Sequence, residues 1–244
     1  DPAIDPAFLK KLSNLQNLKI IRYEKPFNYS AVNNTGSQYA KGEILLFLND
    51  DTRVISTDWL SEMVSWSLQG DIGVVGAKLL YPDKTIQHAG VVLGLTGFAG
   101  YPFQACADHT MGLFGSTDWY RNYSAVTGAC LMVRRDIFEE VGGFKEDFIL
   151  CGSDVEFCLR VRNKGYRILY NPFVILEHWE SASRGSDIPR GDFLTSYQYY
   201  SSILESGDPY YNPNLSLWDC TPNLKRADEK TSIDFIKEKF KNEL

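Results

Sequence analysis

The sequence predicts an α/β domain. Short apolar runs alternate with amphipathic stretches along most of the chain, which is the pattern of strands alternating with helices. One apolar run, Ile44–Leu48, is continuous and therefore typical of a buried parallel strand. The 244 residues are enough for one large domain or for one domain with an appendage. With 44% hydrophobic and 23% charged residues, the composition is that of an ordinary soluble globular protein.

The first part of the chain contains five predicted elements besides that run. Thr57 is expected to cap a helix, because apolar residues recur behind it at helical spacing. Pro82-Asp83 marks a turn between two further strands. In chain order, the predictions are a strand over 18–23, a helix over 30–39, the helix after Thr57, and strands over 73–81 and 85–93.

The second part continues the alternation after a long irregular stretch. Residues 94–122 are rich in glycine, aromatic and polar residues without a clear period, which predicts a functional loop. Gly142-Gly143 is expected to end a short helix. The predictions are a strand over 125–134, helices over 136–141 and 154–164, strands over 166–170 and 174–178, a helix over 193–204, and a charged amphipathic helix over 231–244 that packs on the surface or on a partner.

Charge and composition exclude several classes of function. A net charge of -6 argues against a nucleic-acid groove, since phosphate binding requires a clustered basic surface. No run approaches 18 apolar residues, and no secretory signal begins the sequence. An odd number of cysteines without paired metal-ligand spacing favours reduced thiols in a cytosolic protein. They are Cys106, Cys130, Cys151, Cys158 and Cys220.

Two carboxylates follow the Ile44–Leu48 strand directly, in the sequence Asn49-Asp50-Asp51. In open α/β sheets, ligands gather at the carboxyl ends of strands. Two adjacent acids placed there need a partner, and a divalent cation with oxygen ligands would provide one. The equally weighted alternative is that Asp50-Asp51-Thr52 only caps the following turn.

Two further clusters carry ligand-type residues. Asp154 stands where a helix is predicted to begin, and a carboxylate there is stabilised by the helix dipole; capping alone is the commoner explanation for such an acid. His178 lies among acids after a predicted strand and ahead of a Ser/Arg/Gly-rich stretch containing Arg184. His178 is a candidate metal ligand and Arg184 a candidate phosphate clamp, although a lone histidine at a strand end is more often structural.

A series of motifs, from about residue 18 to 217, closely resembles family 2 glycosyltransferases of the GT-A fold, in particular bacterial rhamnosyltransferase-like enzymes of polysaccharide biosynthesis. The motifs are Pro26-Phe27-Asn28-Tyr29-Ser30-Ala31-Val32-Asn33-Asn34, Leu48-Asn49-Asp50-Asp51, Thr85-Ile86-Gln87-His88-Ala89-Gly90-Val91-Val92, Ala125-Val126-Thr127-Gly128-Ala129-Cys130, Val141-Gly142-Gly143-Phe144, Asp154-Val155-Glu156-Phe157-Cys158-Leu159-Arg160, Gly165-Tyr166-Arg167, His178-Trp179-Glu180-Ser181-Ala182-Ser183-Arg184-Gly185 and Asp208-Pro209-Tyr210-Tyr211-Asn212-Pro213-Asn214-Leu215. The fold implied by the resemblance is a mixed, mostly parallel sheet flanked by helices.

The resemblance also implies roles for single residues. Asp51 would bind Mn²⁺ or Mg²⁺ together with His178, and Asp50 would lie near the donor ribose or sugar. Asp154 matches the family's catalytic base, although Ser153 precedes it where an acid or Asn is more usual, and Asn49 replaces the first Asp of the DxD motif. The sugar and acceptor pocket would be formed by Thr127, Gly128, Ala129 and Trp179, and the donor would also contact Arg184.

The implied activity is inverting transfer of a sugar from a nucleotide-diphosphate-sugar to a saccharide or lipid-linked saccharide acceptor, in the cytoplasm or at the inner face of the membrane. The family begins with a strand–helix–strand unit, for which residues 1–17 leave too little room. We therefore expect an N-terminally truncated catalytic domain over 1–217, a tail over 218–244, and self-association through an edge formed by residues 18–23. The alternatives are a silent carbohydrate- or nucleotide-binding fragment and a metal-dependent nucleotidyltransferase.

Overall fold

The structure, a computed structural model, describes residues 6–13, 15–179 and 188–241. The helices are α1 (Pro6–Ser13), α2 (Tyr29–Tyr39), α3 (Trp59–Ser67), α4 (Arg135–Glu140), α5 (Ser153–Asn163), α6 (Arg190–Ser206) and α7 (Ser232–Lys239). The strands are β1 (Ile44–Leu48), β2 (Thr52–Val54), β3 (Ile72–Leu80), β4 (Ile86–His88), β5 (Val92–Leu93), β6 (Ala99–Gly100), β7 (Met111–Gly112), β8 (Gly115–Ser116), β9 (Arg121–Tyr123), β10 (Cys130–Arg134) and β11 (Arg167–His178).

A mixed seven-stranded sheet forms the centre of the fold. Its order is β1-β10-β3-β11-β2, with β4 added to β3 and β9 added to β11. The pair β3–β11 is parallel, whereas the other five described pairs are antiparallel. The sheet is mixed, as the resemblance implied, but the expectation of mostly parallel strands is wrong. A continuous apolar run such as Ile44–Leu48 indicates burial and carries no information on strand direction, and β1 lies antiparallel to β10.

Helices cover both faces of this sheet. On one face, α3 packs against the sheet through Met63, which is fully buried, with Trp59 and Trp66 at the margin. On the other face, buried residues of α4, α5, α6 and α7 belong to one large apolar cluster. β3 is buried along its whole length because it lies between the two helical layers. The domain therefore has a three-layer architecture.

The predicted strand over residues 18–23 is wrong. These residues belong to no strand, and the side chains of Leu18 and Ile20 are 44% and 49% exposed. An apolar, β-branched run forms a strand only where a neighbouring strand supplies hydrogen bonds, and no described strand does so here. Self-association through an edge built by this segment therefore loses its structural basis.

Two other strand predictions need adjustment. The run 85–93 is divided into β4 and β5 at Gly90, where φ is 103° and a Cβ atom would lie 2.3 Å from the Tyr123 ring. The runs 166–170 and 174–178 are joined in the single strand β11, whose pairing with β3 shifts register between Asn171 and Ile175. The irregularity accommodates Pro172, which has no N–H for a ladder hydrogen bond.

The segment 94–122, expected as a long irregular loop, is held to the sheet by two ion pairs with one buried lysine. Lys78 on β3 is fully buried, and its ammonium donates to Asp108 Oδ1 at 2.8 Å and to Asp118 Oδ1 at 2.7 Å. The loop also contains the short antiparallel pair β7–β8. Burying an ammonium group is costly unless it is paired, so these two carboxylates compensate the burial of Lys78 and tie the loop to β3.

The C-terminal helix α7 packs on the domain itself. The amphipathic pattern over 231–244 predicted a helix, and the structure forms one over Ser232–Lys239; Thr231 caps it by accepting from Asp234 N–H at 3.1 Å. Ile233, Ile236 and Phe240 are buried in the same apolar cluster as α5 and α6. The division of the chain at residue 217 remains a prediction. Within the described residues, no helix combines the length and apolar character needed to cross a membrane.

Candidate active site

A cavity of about 470 Å³ opens where β1 and β11 end. Because β10 runs antiparallel to β1, the residues before β10 lie beside those that follow β1, and Asn49 N–H donates to Ala129 C=O at 2.9 Å. The cavity is lined by residues from several parts of the chain, among them Asn49 and Asp51 after β1, Thr127, Gly128 and Ala129 before β10, Asp154 on α5, His178 on β11, Phe98 and Tyr101 from the segment after β5, and Phe193 and Tyr200 on α6.

Asp51 and His178 converge in this cavity. Asp51 Oδ1 lies 3.0 Å from His178 Nε2, and Asn49 Nδ2 lies 3.4 Å from the same nitrogen. Asp51 Oδ1 is buried and makes no hydrogen bond with the described residues. An unpaired, desolvated carboxylate oxygen is costly, and an oxygen and an imidazole nitrogen are both ligands for Mn²⁺ or Mg²⁺. The arrangement fits a divalent cation.

Asp154 lies in the first turn of α5, and backbone N–H groups hold both of its carboxylate oxygens. Gly128 N–H donates to Oδ2 at 2.8 Å and Val155 N–H donates to Oδ1 at 2.9 Å. Desolvation raises the pKa of the carboxyl above its usual value, while these two donors partly oppose the rise. A carboxylate with a raised pKa is a stronger proton acceptor, which is what a general base requires.

Tyr29 on α2 completes the surroundings of this carboxylate. Its hydroxyl donates to Gly128 C=O at 2.8 Å, so Gly128 is bonded to both Tyr29 and Asp154. A Cβ atom at position 128 would lie 2.4 Å from the Tyr29 oxygen. Only glycine allows the backbone, the phenol and the carboxylate to approach this closely.

Asp192 on α6 fixes the loop that leads to Asp154. Its carboxylate is 1% exposed and accepts from the N–H groups of Ile149, Leu150 and Cys151, each at 2.9 Å. A buried carboxylate with three such donors is well compensated. The start of α6 and the approach to the base are thereby tied together.

His88 on β4 binds the backbone of Thr127, the residue before Gly128. The ring is fully buried, its Nδ1 donates to Ala77 C=O at 2.9 Å, and its Nε2 accepts from Thr127 N–H at 3.2 Å. Burial lowers the pKa of His88 to about 4. The ring is therefore neutral near pH 7, as an acceptor at Nε2 requires.

Comparison with known proteins identifies the family. A family model described as "Glycosyl transferase family group 2" matches residues 44–194, which contain Asp51, Asp154 and His178. The chain belongs to glycosyl transferase family group 2. The resemblance found in the sequence motifs is thus confirmed.

Two long relatives of this glycosyltransferase chain match most of it. It is 47% identical over 212 residues to the O-antigen biosynthesis protein RfbC of Myxococcus xanthus, covering 86% of the chain but 17% of that protein. It is 44% identical over 209 residues to the uncharacterized protein y4gI of Sinorhizobium fredii, covering 83% of the chain and 23% of that protein. The chain thus spans about a fifth of the length of these relatives.

Solved structures show that the glycosyltransferase chain has the GT-A fold. One neighbour is GalNAc-T7 with UDP, GalNAc and Mn²⁺, at a TM-score of 0.60 and 15% identity, covering 97% of this chain and 45% of that one. Another is a mannosyltransferase from Pyrobaculum calidifontis in complex with GDP-Man and Mn²⁺, at a TM-score of 0.50 and 14% identity, covering 82% of this chain and 61% of that one.

The structure brings most of the predicted site residues of this glycosyltransferase to the cavity and leaves others outside it. Asp50 is exposed and is absent from the described lining. Trp179 is also exposed, with its ring 5.3 Å from the Arg53 guanidinium carbon, and does not line the cavity either. Arg184 lies outside the described residues.

Three residues that line the cavity, Tyr29, Gln87 and Asp192, carry no predicted role. Tyr29 and Gln87 occur within motifs that carried the family resemblance, and this was the available signal. Asp192 reads as an ordinary first-turn acid of α6, so nothing local distinguishes it.

Proposed function

We propose that this chain is the catalytic part of an inverting glycosyltransferase that moves a sugar from a nucleotide-diphosphate-sugar to an acceptor hydroxyl. The observation that carries the proposal is a single cavity lined both by Asp51 with His178 and by Asp154. Such a cavity can hold a donor diphosphate near Asp51 and His178 and an acceptor hydroxyl near Asp154.

Asp154 acts as the base. As the acceptor oxygen forms its bond to the anomeric carbon, the bond from that carbon to the nucleoside diphosphate breaks and the acceptor proton passes to the Asp154 carboxylate. The described lining contains two other carboxylates. Asp192 is engaged by three backbone N–H groups, and Asp51 faces His178. One available base, without a second carboxylate as nucleophile, favours a single displacement with inversion.

Asp51 and His178 would hold Mn²⁺ or Mg²⁺, which supplies charge neutralisation for the departing diphosphate when bound. The Mn²⁺ complexes of the two neighbouring folds support this choice of ion. Asp50 would lie near the donor ribose or sugar, and Arg184 would contact the diphosphate. Thr127 and Ala129, with Gly128 between them, would form the sugar pocket.

A saccharide or lipid-linked saccharide acceptor is supported by the names of the relatives. Besides the O-antigen protein, 62 residues are 36% identical to an N-acetylglucosaminyl-diphospho-decaprenol L-rhamnosyltransferase of Mycobacterium tuberculosis, covering 25% of the chain and 20% of that protein. We therefore propose cell-surface polysaccharide synthesis. A cytoplasmic location, peripheral to the membrane, is part of the same proposal.

The test is release of nucleoside diphosphate from a panel of nucleotide-sugars, with Mn²⁺ or with EDTA. Asp154→Asn is expected to lower the rate about 10²–10⁴-fold, as loss of a general base does, while donor binding and Tm change little. Asp136→Asn is the matched control, because Asp136 also lies in the first turn of a helix, α4, but is exposed.

Three results would contradict the proposal. If Asp154→Asn retains more than about a tenth of the rate, Asp154 is not the base. Binding of nucleoside diphosphate with no turnover of any donor would favour the silent binding fragment. Release of pyrophosphate from a nucleoside triphosphate and a sugar phosphate would favour the nucleotidyltransferase.

A further inference from the structure

Gln87 on β4 contacts His178 at two points. Its Oε1 lies 2.6 Å from His178 Nδ1, and its Nε2 donates to the His178 backbone C=O at 3.4 Å. The side chain is 1% exposed and borders the cavity. A glutamine in this position can set both the orientation and the protonation pattern of the ring.

The two contacts determine which ring nitrogen carries the proton. A backbone carbonyl can only accept, so the Gln87 amide group must direct its NH₂ to the His178 C=O and its Oε1 to the ring. An oxygen at 2.6 Å from Nδ1 requires an N–H there. In the neutral ring the proton is therefore on Nδ1, and Nε2 has a free lone pair.

Of the two neighbours of Nε2, Asn49 agrees with this assignment, whereas Asp51 favours it only when a cation is bound. Asn49 Nδ2, which is a donor, lies 3.4 Å from Nε2, and the unpaired Asp51 Oδ1 lies 3.0 Å from it. A lone pair that faces a carboxylate oxygen is unfavourable unless a cation lies between the two atoms. Gln87 thus holds the ring in the Nδ1–H form. A cation would bind this form at Nε2, whereas the Asp51 carboxylate without a cation would favour a proton on Nε2.

We infer that Gln87 is a positioning residue that holds His178 in the Nδ1–H tautomer and so presents Nε2 to the divalent cation. The inference rests on the cation site of the proposed function. Partners of metal ligands that fix tautomer and ring orientation typically contribute about 10–100-fold to metal affinity.

The protonation pattern can be measured without metal. The chain contains three histidines, so ¹⁵N-detected NMR of the imidazole rings gives three separable spin systems at a pH where all are neutral. In the wild-type protein, His178 is expected to carry its proton on Nδ1, and His88 serves as an internal reference because its Nδ1 donates to Ala77 C=O. In Gln87→Met, which keeps the volume but loses the acceptor, the His178 proton is expected to move to Nε2 and bind Asp51.

Binding of Mn²⁺ alone, followed by the EPR signal of the free ion, is the second readout. Gln87→Met is expected to weaken binding about 10–100-fold. Gln87→Glu retains an acceptor for Nδ1 and is expected to keep the Nδ1–H tautomer and to restore binding to within a few-fold. Gln104→Met is the matched control, because Gln104 lines the same cavity but bonds to Tyr81, and it is expected to leave the His178 tautomer unchanged.

The outcomes separate this inference from the proposed function. An unchanged tautomer together with Mn²⁺ affinity within twofold of wild type in Gln87→Met would overturn the role of Gln87 alone. A wild-type protein that binds no Mn²⁺ would overturn the cation site, and with it both proposals.

Discussion

Replacing Asp192 with Asn tests whether the loop before Asp154 is held from α6. The carboxylate accepts three backbone N–H groups at 2.9 Å, two at Oδ2 and one at Oδ1. An asparagine has one acceptor oxygen, so its NH₂ group must face at least one of these donors. The substitution changes few atoms, yet the asparagine side chain cannot accept hydrogen bonds from all three N–H groups of the loop.

The magnitude follows from the bonds that are lost. Hydrogen bonds to a charged group contribute about 1.5–3 kcal/mol each, and neutral ones about 1 kcal/mol. Asparagine accepts at most two neutral hydrogen bonds and turns its NH₂ group towards the third N–H, which then lacks an acceptor. Because a buried charge is also removed, its desolvation cost disappears and part of the lost stability is regained. We expect destabilisation of roughly 2–4 kcal/mol, measured by urea denaturation.

Activity is expected to fall along with stability. The loop carries Gly152, at φ 98°, directly before α5, so its displacement moves Asp154. We expect kcat to fall by at least about tenfold with little change in the KM for donor, because small misplacement of a reacting group is costly. The measurement is steady-state release of nucleoside diphosphate, at a temperature where the variant is folded.

Asp147→Asn provides the control for this experiment. Asp147 also links the loop to α6, through the Tyr199 hydroxyl at 2.6 Å, but on the exposed surface. It is expected to change stability by less than about 0.5 kcal/mol. If Asp192→Asn is equally harmless in both stability and kcat, the proposed anchoring is refuted.

Two further predictions concern the backbone around Gly128. Gly128→Ala places a Cβ 2.4 Å from the Tyr29 oxygen and is expected to lower the free energy of unfolding by about 1–3 kcal/mol, with loss of activity. Gly36→Ala is the control, because Gly36 has open space around it within α2; it is expected to raise the free energy of unfolding by up to about 1 kcal/mol. Thermal melts measure both. His88 has its pKa lowered from 6.5 to about 4, so the unfolded state binds the proton more readily in this window. Stability is therefore expected to fall by about 3 kcal/mol from pH 7 to 4, a dependence that His88→Asn removes; the same slope in both proteins would rule out His88 as its source.

Much of the fold could be predicted because its elements have local signals. The strands β1, β3 and β10 could be predicted from runs of apolar residues, and α5 from apolar residues at helical spacing. What could not be predicted depends on distant partners. The direction of β1 is set by β10, and the interruption at Gly90 by the Tyr123 ring.

The candidate site divides in the same way. Asp51, Asp154 and His178 could be singled out because they stand at the ends of predicted elements within motifs that resemble those of family 2 glycosyltransferases. Their roles remain predictions, but the structure places all three around one cavity. Asp192 could not be singled out, since its three partners lie more than 40 residues before it.

The order of the central sheet has a consequence for how the protein is made. Asn49 and His178, which meet in the cavity, are separated by 129 residues along the chain. At translation rates of about 5–20 residues per second, the histidine leaves the ribosome roughly 6–26 s after the acidic cluster. Throughout that interval β2 lacks β11, its partner in the finished sheet, and Asp51 lacks its imidazole neighbour. A topology with such distant pairings folds slowly, so Asn49 and Asp51 are synthesised early but are among the last residues of the site to acquire their environment.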